Sequence, residues 1–82
     1  MNDDKELILR IEEEMFDYIE TNNIYYIADL WEHAEQEHAA DWFPILRKRN
    51  IYRALKLYLE SKRRVARSKK IYIPPPKNSI KD

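Results

Sequence analysis

The sequence predicts a mostly α-helical fold, three helices followed by a small β-hairpin. Apolar residues recur at helical spacing over 4–21 and 26–38, and again between Pro44 and about Arg63. Turn-forming residues break the pattern at Thr21-Asn22-Asn23 and around Pro44. Over 64–73 the period shortens to the alternation of a strand pair. Eighty-two residues bound this to one small domain, placed at 1–76 with a polar tail at 77–82. A chain so short buries only about 60% of its unfolded surface and is marginal without help.

The first helix spans 4–21. At about 100° per residue, Leu7, Ile8, Ile11, Met15, Tyr18 and Ile19 fall in one arc, which Leu9 and Phe16 widen. That arc is wider than one neighbouring helix needs: it fits two neighbours in a small core, or a homodimer surface on the first helix, which is the expectation carried forward. On the second helix, Ile27, Leu30, Trp31, Ala34 and His38 form a single apolar face, and Trp31 is assigned to the core. Pro44 disfavours helical geometry at Phe43, and Trp42 and Phe43 are too large to leave exposed, so they should cap the core beneath the connection.

The third helix is either continuous from Ile45 or a short turn at 45–48 before a main helix capped by Asn50; the second version is preferred. Its inner face is Ile51, Leu55, Tyr58 and Leu59, with Ala54 beside it, and Arg49, Arg53, Lys56 and Glu60 lie opposite. Residues 64–67 and 70–73 read as two short strands around Ser68-Lys69. A two-residue hairpin loop prefers Gly or Asn, and neither is present. Pro74-Pro75-Pro76 should then run as an extended segment.

Composition excludes several classes of function. No cysteine means no disulfide and no cysteine-based zinc site, and no glycine means no Gly-rich phosphate loop. The longest apolar run, 24–28, is far short of the roughly 20 residues of a membrane span. The N-terminus is acidic and unlike a targeting signal, which points to the cytoplasm, or to the nucleoid of a prokaryote or its virus. His33 and His38 are five apart, about 140° around a helix, so no metal is expected; no activated nucleophile or catalytic carboxylate pair is visible either. No enzyme, cofactor or small-molecule substrate is therefore expected.

The net charge of zero hides a division. Residues 1–42 carry thirteen acids and two bases, for −11, and residues 43–82 carry thirteen bases and two acids, for +11. Such an asymmetry points to a polyanion partner for the second half.

Residues 49–73 resemble the recognition helix and wing of winged helix-turn-helix DNA-binding proteins, and Ile51-Tyr52-Arg53-Ala54-Leu55-Lys56 is similar to a stretch common in such helices. The chain departs from that pattern in having Ser61-Lys62-Arg63 where the family usually turns on a glycine, and in a longer connection before the third helix. The resemblance implies binding of double-stranded DNA, as in a transcriptional regulator. The third helix would enter the major groove with Arg49, Asn50, Tyr52, Arg53 and Lys56, and Arg47 and Lys48 would hold phosphates. Arg63, Arg64, Arg67, Lys69 and Lys70 would form the wing contact. The alternatives are a protein-interaction module, self-associating or docking on an acidic partner, and an RNA-binding protein.

Overall fold

The computed structural model describes residues 2–77, with side chains from residue 4 onward. Four helices follow one another: α1 (Asn2–Thr21), α2 (Ile27–Glu37), α3 (Trp42–Leu46) and α4 (Arg49–Ser68). The short α3 packs against all three others, so its Ile45 and Leu46 sit among Ile11, Met15 and Ile19 of α1, Leu30 and Ala34 of α2, and Ile51, Leu55 and Leu59 of α4. Met15, Ile19, Leu30, Leu46, Leu55 and Leu59 are fully buried, and no polar or charged residue joins them among the described residues.

The helix ends follow from local chemistry. After α1, Asn23 adopts a left-handed backbone (φ 57°), and the Ile24 N–H donates to the Ile19 carbonyl at 3.0 Å. Asparagine tolerates that region, and the buried Ile19 and Ile24 supply the apolar contact that accompanies such an ending. At the start of α3 the Asp41 carboxylate accepts from the Trp42 N–H at 2.9 Å. Pro44 is the third residue of α3, inside the first turn, where its missing N–H costs no helical bond. The expected restart at Ile45 is thus three residues late, and Phe43 is helical despite preceding a proline. A short helix does precede the main one, but Lys48, not Asn50, is the N-cap of α4.

The β-hairpin is overturned. Among the described residues there is no strand, so the fold is four helices and not three helices plus a wing. Residues 64–67 are the last turn of α4, and Ala66 is buried in continuation of Ile51, Leu55 and Leu59. The helical period wins because nothing at 61–68 stops a helix: Ser, Lys, Arg, Val and Ala all continue one without a glycine or proline. The reversal comes later, at Lys70 (φ 59°), where the Ile71 N–H donates to the Ala66 carbonyl at 2.8 Å and the Lys70 N–H to Arg67 at 3.0 Å. Residues 71–76 run on without regular structure, and the Lys77 N–H donates to Asp29 on α2 at 2.9 Å. Apart from Lys77, the polar tail expected at 77–82 lies outside the described residues. Ala54, placed beside the inner face, is exposed.

Candidate nucleic-acid interface

One unbroken α4 changes what its cations can do. Arg49, Arg53, Lys56, Arg64 and Arg67 are all exposed, at spacings that return them to one side of the helix. They fill an arc of about 80° along roughly 27 Å of axis, at about 100° and 1.5 Å per residue. None makes an ion pair with another described residue, and only Glu60, half-buried, interrupts the row. Arg47 and Lys48 stand exposed at its N-terminal end, and Lys69 and Lys70 at its C-terminal end.

Three other residues assigned to DNA are placed differently. Asn50 is exposed on the flank shared with Leu57 and Ser68. Tyr52 is half-buried, its ring edge-on to Trp31 at 5.7 Å. Arg63 turns inward: its guanidinium donates to the Tyr25 carbonyl at 2.6 Å and lies 4.7 Å from the Tyr26 ring centre. Lys62 is occupied in the same way, with Nζ donating to the carbonyls of Ile24 (2.9 Å) and Ile19 (3.3 Å) and lying 3.7 Å from Glu20. These two cations bind carbonyls of the α1–α2 connection, and Lys62 also reaches the last turn of α1.

The acidic half carries its own cluster. Tyr18 stacks on His33 at 3.9 Å, His38 stacks on Trp42 at 3.9 Å, and the two imidazoles are 5.2 Å apart. The 140° separation expected of a continuous helix fails because α2 stops at Glu37 and His38 lies past the end, with φ −136° and ψ 40°. Burial, aided by the neighbouring His38, holds His33 below its ordinary value, while Glu37 opposes. Trp42 Nε1 donates to Glu14 at 2.9 Å, tying α3 to α1. Tyr58 donates its hydroxyl to Glu20, and that bond, more than burial, pushes the phenol up to about 12. Among the described residues no group of three or more His, Asp or Glu side chains is arranged to hold a metal ion.

One arrangement escaped the sequence reading. Trp31, assigned to the core, is only half-buried and meets Phe43 at 5.0 Å and Tyr52 at 5.7 Å, both edge-on. With Arg47 and Arg49 it lines a cleft of about 390 Å³. Residues 31, 47, 49 and 52 come from two helices and the joint between α3 and α4, so no single periodicity shows them together.

No described helix is long and apolar enough to cross a membrane. A protein-family model, described as replication protein RepB, C-terminal, matches residues 2–64. No curated protein and no solved structure matches.

Proposed function

The chain belongs to the replication protein RepB C-terminal family, and from that DNA-related premise we propose that α4 holds duplex DNA by its phosphates. The row of five exposed, unpaired cations on α4 carries this reading. Arg47 and Lys48 extend the grip at one end of the row, and Lys69 and Lys70 at the other. A helix about 10–12 Å across fits a major groove about 12 Å wide, and arginine is the side chain best suited to paired contacts with phosphate. The acids of α1 and α2 repel phosphate, so α4 rather than α1 or α2 makes the contact. No catalysis is required of the chain.

Fluorescence anisotropy with a random 20-base-pair duplex tests the proposal. Binding should weaken steeply with salt, as neutralised phosphates release counterions. The double reversal Arg53→Glu and Arg64→Glu should lower affinity at least about a hundredfold at low salt, with an unchanged circular dichroism spectrum. Parental affinity in that variant would show that α4 is not the DNA-binding surface.

A second reading, self-association, has its own observation. Ala54, Leu57, Ser61 and Val65 make an uncharged strip on the flank of α4, with Leu57 57% and Val65 50% exposed. On α1, Leu9 is 58% exposed, in keeping with a first-helix contribution to a homodimer.

A further inference from the structure

We propose that the cleft at the joint of α3 and α4 receives an unpaired nucleotide of single-stranded DNA, its base against Trp31 and Tyr52 and its phosphate between Arg47 and Arg49. The proposal rests on the DNA-related reading above, yet it needs only Arg47 and Arg49 of the cations assigned there.

Four observations converge on this ligand. The cleft, about 390 Å³ and open to solvent, is lined by two aromatic rings and two guanidinium groups. The rings are fixed before any ligand arrives, because Trp31 is wedged edge-on between Phe43 and Tyr52. Both are half-buried, so part of each ring stays open to the cleft. Arg47 is steadied at the rim, 5.8 Å from the Phe43 ring centre, and neither Arg47 nor Arg49 pairs with a described carboxylate.

A second cleft beside the same aromatic pair gives the ligand a direction. It measures about 460 Å³ and carries Glu32 and Glu35. A phosphate is repelled from that side and drawn to the arginine side. Aromatic rings beside cations are the recurring means of holding unpaired bases, since every base has a stackable face. Bases inside a duplex already stack on their neighbours, so only an unpaired one has a face to offer these rings.

Tryptophan emission tests this directly. Trp42 is buried at 4% exposure, so a change on titration reports Trp31. A 5′-phosphorylated dT tetramer should quench the emission saturably, and an abasic tetramer of the same charge should not. Tyr52→Ala, and separately the exposed Arg49→Ala, should weaken the tetramer roughly tenfold. The Arg53→Glu, Arg64→Glu variant should keep the quench while losing duplex affinity. Quenching in a parent that does not bind duplex would uphold this site and reject the α4 proposal. The site is rejected by no quench, by an equal effect of the abasic strand, by parental affinity in Arg49→Ala, or by joint loss of tetramer and duplex in the double reversal.

Discussion

Lys56 and Lys62 are chemically identical and six residues apart on one helix, yet the fold gives them opposite work. Lys56 is exposed, whereas the Lys62 side chain is 15% exposed and donates to the carbonyls of Ile19 in α1 and Ile24 in the connection after it. Lys62→Met should therefore cost about 1–3 kcal/mol in urea denaturation, because two part-buried acceptors lose a charged donor. Lys56→Met should stay within about 0.5 kcal/mol. His33 sets an acid limit of a different kind. Its folded-state pKa lies below the ordinary 6.5, so the fold favours the neutral ring. The resulting stability is present above pH 6.5 and is lost as the pH falls through the lowered value, because the unfolded chain takes up the proton first. His33→Phe retains a ring against Tyr18 and should flatten the fall in Tm between pH 7.5 and 5.5 relative to the parent, measured by differential scanning calorimetry. Which lysine or histidine is spent inside the molecule depends on contacts between helices, and sequence spacing does not carry that information.

At the scale of elements, the end of α4 turns at Lys70. It holds the left-handed position that closes the helix, and a side chain there costs free energy that glycine does not incur. Lys70→Gly should raise stability by about 0.5–1 kcal/mol, read from the denaturation midpoint. The same residue explains why a hairpin was expected. Residues 70–73 alternate, and two strands facing each other across Ser68-Lys69 satisfy the pattern as well as a helix end does. The missing glycine or asparagine at that turn was the legible sign against a hairpin. By contrast α1, α2, the Asn22-Asn23 break and most of the inner face of α4 were readable, because apolar spacing alone specifies them. The basic face was readable for the same reason: Arg49, Arg53 and Lys56 lie opposite Ile51, Leu55 and Leu59 on any helix. Its extension through Arg64 and Arg67 required knowing that α4 runs on.

For the whole molecule, the split of −11 and +11 between the two halves makes salt the means of separating its modes of association. Copies that paired the basic row of one with the acids of another would compete with DNA and would come apart as salt screens the charges. Copies that met through Leu57 and Val65 would leave the arginine row open, since the two strips lie side by side on α4. Apolar burial gains about 25 cal/mol per Å² and does not weaken with added salt, so such an assembly should persist at 1 M NaCl. Light scattering of the parent should then give a mass above that of one chain at both 0.1 and 1 M NaCl. Leu57→Glu with Val65→Glu should return the mass to one chain at either salt. It should also lower duplex affinity, because a multivalent array of α4 rows is reduced to a single row and two carboxylates are set beside it. A parent that associates only at low salt would assign the contact to the charge division, and a parent that is monomeric throughout would leave each α4 to bind DNA alone.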